Sequence, residues 1–115
     1  MRRGEIWLAE LDPVRGSEAS RTRPVVIVSN EGANLTATRL GRGVITVVPI
    51  TANTAHIYPF QVALPAAETG LDRDSKAQAE QVRSLDVQRL RRAIARVPAE
   101  LIPALDDALR LHLQL

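Results

Sequence analysis

Residues 21–29 read RTRPVVIVS and residues 43–51 read GVITVVPIT. Each joins an unbroken apolar, largely β-branched run to a polar rim. The runs 24–29 (PVVIVS) and 43–50 (GVITVVPI) suit strands covered on both faces, where β-branched side chains pack well on a pleated surface. Pro24 is expected at the first strand position, because it brings no ladder donor. Pro49 marks a bulge or the strand's end. If the two strands pair antiparallel, the start of one lies beside the end of the other. Arg23 and Thr51 then become neighbours at one rim.

The pattern extends outward in both directions. Residues 4–11 (GEIWLAEL) alternate as a strand, with Ile6 and Leu8 on one face and Glu5, Trp7, Ala9 and Leu11 on the other. Asp12-Pro13 stops that strand. Residues 12–22 (DPVRGSEASRT) are a Gly-, Ser- and charge-rich surface loop of the kind that carries function. Residues 30–40 read as a polar loop with room for a helical turn, 51–58 as a loop, 59–64 (PFQVAL) as a strand and 65–75 as a loop. Residues 76–83 alternate like a strand yet hold good helix formers, which leaves both open. Residues 86–91 fit a helical turn capped by Ser84 or Asp86, and 93–97 a short strand.

From 99 to 113 the period becomes helical. Leu101, Ile102, Leu105, Leu109 and His112 share a face, with Ala108 beside them, so His112 is expected to pack in the core. Pro103 conflicts with a helix starting at Ala99, so the helix begins near Ile102 or kinks. The whole reads as one domain over residues 1–115, mostly β with a C-terminal helix: a small antiparallel barrel closed by that helix.

Composition narrows the chemistry. With 115 residues and no cysteine, disulfides and thiolate chemistry are excluded, and two histidines cannot build a multi-His metal site. No apolar run approaches the ~20 residues of a membrane span, and the acidic residues near the N-terminus do not suit a signal peptide. A soluble intracellular protein is expected. Fifteen basic against 13 acidic residues leave a net charge of +2, too little for bulk attraction to nucleic acid. Fourteen of the basic residues are arginine, Lys76 being the exception; arginine presents a planar donor fork that matches phosphate. The surplus lies in residues 1–60, with seven basic against five acidic side chains. An anionic partner is therefore expected on the N-terminal half.

No P-loop, GxGxxG, HExxH or GxSxG motif is present. What remains is the Arg23–Thr51 juxtaposition, where a guanidinium and a hydroxyl together can hold and polarise a phosphodiester. A strand-end arginine paired with Glu18 or Glu31, and a threonine serving a turn, account for the same residues without chemistry. His56, in the loop after Thr51, has a free pKa near neutrality and suits either a general base or an exposed loop residue. Trp7, Tyr58 and Phe60 are the only aromatics apart from the histidines, so base stacking is thinly supplied, and Trp7 suits a core or dimer interface.

Four blocks carry a family resemblance: RGEIWLAEL, then DPVRGSEASRTRPVVIVSN, then VITVVPIT, then EQVRSLDVQRL, in order and spanning nearly the whole chain. Together they closely resemble the MazF/PemK/Kid toxin endoribonucleases. The resemblance implies a CcdB/MazF-type SH3-like barrel and a cytoplasmic homodimer. It implies cleavage of single-stranded RNA without metal or cofactor, through attack of the ribose 2′-hydroxyl, leaving a 2′,3′-cyclic phosphate and a 5′-hydroxyl. It also implies inhibition by an acidic, partly disordered antitoxin. Carried over residue by residue, Arg23 and Thr51 are the catalytic pair. Arg15, Glu18 and Arg21 in the 12–22 loop, with Asn34, Gln81, Ser84 and Asp86, are the RNA-contacting positions. Rival readings are a gyrase-binding toxin of the same fold and a non-catalytic RNA-binding homologue, since fold alone does not assign chemistry.

Overall fold

The computed structural model describes residues 1–12 and 21–115, Asp12 and Arg21 in their backbone only. The strands are β1 (Glu5–Asp12), β2 (Arg21–Ile27), β3 (Val44–Thr51), β4 (Gln61–Leu64), β5 (Ser75–Gln78), β6 (Arg83–Asp86) and β7 (Leu90–Arg96). The helices are α1 (Glu31–Leu40), α2 (Ala66–Thr69) and α3 (Ile102–Leu113). Every pairing is antiparallel. The sheet runs β4-β5-β3-β2-β1-β7, and β6 also pairs with β3.

The two prolines explain how β3 serves three partners. The β2–β3 register begins at Val25 opposite Pro49 and runs to Ile27 opposite Val47. On its other side β3 pairs with β6 from Val44 to Val47, then with β5 at Ile50 and Thr51. Pro49 thus sits in the gap between the two partners, where no ladder donor is missed. Pro24 lies inside β2, opposite Leu8 of β1, rather than at its first position as expected. The β3 ladder starts only at Val25, so at Pro24 the strand is an edge on that side and the proline is tolerated.

Both faces of the central strands are covered, as their β-branched runs predict. Ile6, Val26, Val48 and Ile50 join Leu105 and Ala108 of α3 in one cluster. Ala9, Val25, Ile27, Ile45 and Val47 join Ala37 of α1 in the other. Each fully buried Val, Leu or Ile contributes about 1.5–3 kcal/mol.

Several expectations are corrected. Residues 31–40 form a complete helix rather than a loop with a turn. The Asn30 side chain accepts from the Ala33 N–H (2.8 Å), and Gly41 ends the helix at φ 65°. Its polar face misled the pattern because its buried residues include Asn34, whose amide is satisfied internally. Residues 76–83 are neither one strand nor a helix: β5 and β6 flank a 3₁₀ turn at Ala79–Gln81. Residues 86–91 give only a 3₁₀ turn at Val87–Arg89, capped by Asp86 Oδ1 on the Gln88 N–H (2.8 Å), and β7 starts at once. The 65–75 stretch contains α2. Pro103 falls in the first turn of α3, which resolves its conflict. His112 is exposed, together with Leu111, Leu113 and Leu115, rather than packed in the core.

The expected closed barrel is an open sheet. β4 and β7 are its end strands and do not pair with each other. Apolar packing bridges the seam instead: Leu71, Ile94 and Ala95 pack on the α3-side cluster, and a Cβ at Gly70 would lie 3.9 Å from Ala95 Cβ. The 65–74 connection between the paired strands β4 and β5 lies along this margin, where Gly70 and Leu71 share a cavity with Arg92 and Ile94 of β7.

Candidate active site

The seam holds a cavity of about 510 Å³. Leu8, Pro24 and Ile50, from three adjacent strands, form its floor. Arg92 and Ile94 of β7 form one wall, and Asp72, Arg73 and Ser75 form the other. Arg23 and Thr51 complete the rim. The expected juxtaposition is therefore present. The β2–β3 ladder ends at Val25 and Pro49, two residues short of each, and both residues line the one cavity.

Local structure orients each group. Arg23 is exposed, and among the described residues its guanidinium has no hydrogen-bond or ion-pair partner. Glu31, one candidate partner, instead accepts from the Arg3 N–H (2.9 Å) and the Asn34 amide (3.1 Å). The Thr51 Oγ1 accepts the Asn53 N–H at 3.2 Å. One lone pair is thus engaged and the hydroxyl proton is left to donate. Behind Thr51 lies its register partner Lys76, 7% exposed, whose Nζ donates to the His56 carbonyl at 2.5 Å. That ammonium also sits 5.9 Å from the Tyr58 ring centroid. Tyr58 stacks on Phe60 (5.3 Å, 3° between planes), and His56 leans on Tyr58 at 4.2 Å. Gln61 ties this loop down further, accepting from the Tyr58 N–H (3.1 Å) and donating to Glu80 (2.8 Å). His56 is exposed and does not line the cavity.

The second wall is also built locally. Gly70 takes φ 91°, which glycine adopts without strain. The Asp74 carboxylate accepts the Ala66 N–H (2.9 Å), and Ser75 Oγ donates to the Arg73 carbonyl (3.0 Å). Arg73 therefore projects from a fixed backbone.

The other sequence-derived positions do not gather here. Arg15 and Glu18 lie outside the described residues. Arg21 opens β2 opposite Asp12. Asn34 is fully buried: its amide donates to the Ser29 carbonyl (2.9 Å) and its oxygen accepts from Ser29 Oγ (2.5 Å). Gln81, Ser84 and Asp86 are exposed along β6 and the turn before it, facing the first half of β3 rather than Thr51. Trp7 is partly buried against the α1-side cluster and donates to Glu5 at 3.0 Å. Asp72, Arg73, Ser75 and Arg92 line the cavity without having been singled out. They belong to the half of the chain that is neutral overall, and charge counting gave no signal for them. Among the described residues no three His, Asp or Glu side chains converge as a metal site.

An open antiparallel sheet of seven strands with a C-terminal helix is the fold of a known toxin class. The description PemK-like, MazF-like toxin of type II toxin–antitoxin system fits residues 2–113, and the chain belongs to that family. It is 64% identical over all 115 residues to Endoribonuclease MazF9 of Mycobacterium tuberculosis (strain ATCC 25618 / H37Rv), covering 98% of that protein. The fold matches the Mycobacterium tuberculosis toxin MazF-mt6 with a TM-score of 0.78, at 27% identity and with 96% and 97% of the two chains covered. It matches a MazE–MazF crystal structure from Deinococcus radiodurans with a TM-score of 0.79, at 26% identity, covering 100% and 96%.

Proposed function

We propose that this protein is a toxin endoribonuclease that cuts single-stranded RNA in the seam cavity, with Arg23 and Thr51 at the scissile phosphate. The observation that carries the reading is the convergence on one cavity of a guanidinium with no partner among the described residues and a hydroxyl that accepts the Asn53 N–H and keeps its own proton to donate. RNA supplies its own nucleophile, so the protein's task is alignment and charge stabilisation. The ribose 2′-oxygen bonds to phosphorus as the bond from phosphorus to the 5′-oxygen breaks. The proton lost by the 2′-hydroxyl is balanced by the one the 5′-oxygen gains. Arg23 neutralises the charge building on the phosphorane. Thr51 donates to a non-bridging oxygen. The products are a 2′,3′-cyclic phosphate and a 5′-hydroxyl, and the chain's own residues suffice without metal or cofactor.

Recognition then rests on arginine forks, on Arg15 and Glu18 between β1 and β2, and on Arg21 at the start of β2, while Gln81, Ser84 and Asp86 contact RNA farther from the cavity, along β6 and the turn before it. Asn34 supports the Ser29 turn. The protein works in the cytoplasm; among the described residues no helix is long and apolar enough to cross a membrane. The exposed Leu111, Leu113 and Leu115 at the end of α3 support a homodimer, since such residues gain by burial. A MazE-like antitoxin, acidic and folding as it binds, restrains the enzyme. Incubating the purified protein with mixed RNA in EDTA, with mapping of the new ends, tests the reading. Cyclic-phosphate and 5′-hydroxyl ends are expected. Intact RNA, with or without inhibition of gyrase, overturns it.

A further inference from the structure

The cavity holds more positive charge than one scissile phosphate needs. Arg23, Arg73 and Arg92 line it against the single carboxylate of Asp72, a local surplus of two, equal to the formal net charge of the entire chain. Among the described residues none of the three guanidiniums has an ion-pair partner. Arg3, Arg91 and Arg110, which do not line this cavity, are paired with Asp106, Glu10 and Asp107. Arg92 stands on β7 opposite Leu8 of β1, and Leu8 lies opposite Pro24, next to Arg23 in β2. The backbones bearing Arg23 and Arg92 are thus two strand spacings apart, about 9–10 Å. The two forks therefore rise from separate strands of the same cavity, with Arg73 on its far wall, a spread that suits neighbouring phosphates of one strand.

We infer that Arg73 and Arg92 form a second phosphate subsite across the seam, gripping the backbone linkage next to the scissile one. The inference rests on the catalytic reading of Arg23 and Thr51. Both arginines are mounted on rigid supports, a strand and a hydrogen-bonded turn, so little order need be gained on binding. They are positioning residues: by fixing the flanking phosphate they hold the attacked linkage in line.

The probe is a randomised RNA dodecamer pool with every 2′-hydroxyl methylated, which cannot be cut. Its affinity is measured against salt for the wild type, Arg73→Gln and Arg92→Gln. Each substitution is expected to lower the slope of log affinity against log salt by about one and to weaken binding about 10-fold. Cleavage of unmodified RNA should lose kcat/KM with KM carrying the larger share. Both side chains are exposed, so melting temperatures should stay near wild type. A wild-type salt slope in both variants overturns the subsite, and so does loss of affinity for a Glu/Asp-rich peptide while the RNA slope holds. The two readings fail separately. If Arg23→Ala abolishes cleavage while the arginine variants bind as wild type, only the subsite falls. If the wild type leaves RNA whole while both variants lose slope, the subsite stands and the catalytic assignment falls.

Discussion

Arg23 and Thr51 border one cavity although the ladder joining their strands ends two residues earlier, at Val25 and Pro49. Pro24 adjoins Arg23, and Pro49, the last β3 residue in the β2–β3 ladder, lies two residues before Thr51. Ladder bonding is given up where side chains are needed, and Thr51 is held instead by its pairing with Lys76 of β5.

Replacement of Arg23 tests charge at the phosphate. Arg23→Ala should lower the rate about 10²–10³-fold, the range typical of removing one transition-state donor. Arg23→Lys should recover little, because an ammonium lacks the fork. Circular dichroism should be unchanged, since the side chain is exposed and touches no described partner. Cleavage at the wild-type rate by Arg23→Ala removes the proposed role.

The hydroxyl of Thr51 is tested by shape-conserving change. Thr51→Val keeps the volume and loses the donor, and single-turnover cleavage should slow by about 10–100-fold. Thr51→Ser should retain most of the rate. A slowed Thr51→Ser beside a Thr51→Val that cleaves at the wild-type rate would point to packing of the γ-methyl rather than to donation.

Lys76 is nearly buried and anchors the loop after Thr51 through the His56 carbonyl. Lys76→Met should cost about 1.5–3 kcal/mol, the range for a hydrogen bond from a charged group. Amide exchange should quicken across residues 52–60. Unchanged protection there would show that the Gln61 bonds hold the loop alone.

Acid should weaken the fold through Glu5 and Glu31. Burial raises the Glu5 value, but hydrogen bonds from the Trp7 indole and the Arg2 N–H outweigh it and hold the carboxyl below its ordinary 4.5. Glu31 is lowered by the Arg3 N–H and the Asn34 amide. Unfolded carboxyls therefore take up protons first. The stabilisation is present above about pH 4.5 and is lost as the pH falls through the lowered folded values. The melting temperature should drop across that range. The drop should be shallower in a Glu5→Gln, Glu31→Gln double variant, and equally steep profiles would assign it to other carboxyls.

Much of the strand order was readable because buried β-branched runs leave few alternatives. The runs at 24–29 and 43–50 became β2 and β3, and their ends brought Arg23 and Thr51 to one rim. Short polar elements were not readable. Helix α1 is held by capping and by Asn34 satisfying itself inside, which leaves no apolar stripe to detect. Arg92 was invisible for a different reason: β7 joins β1 from the far end of the chain, and no local pattern encodes that pairing. Charge counting pointed to the N-terminal half, whereas two of the three arginines lining the cavity, Arg73 and Arg92, come from the C-terminal half.

The unjoined margin of the sheet carries a liability as well as a site. β7 is bonded to β1 alone among the described strands, so its outer backbone groups could template another chain's strand. Bulky cations standing along such a border repel unwanted additions, and Arg91 and Arg92 are both exposed there. Neutralising Arg92 would thus weaken a safeguard against aggregation along with a grip on RNA, and the solubility of that variant on concentration becomes a trait to watch beside its affinity.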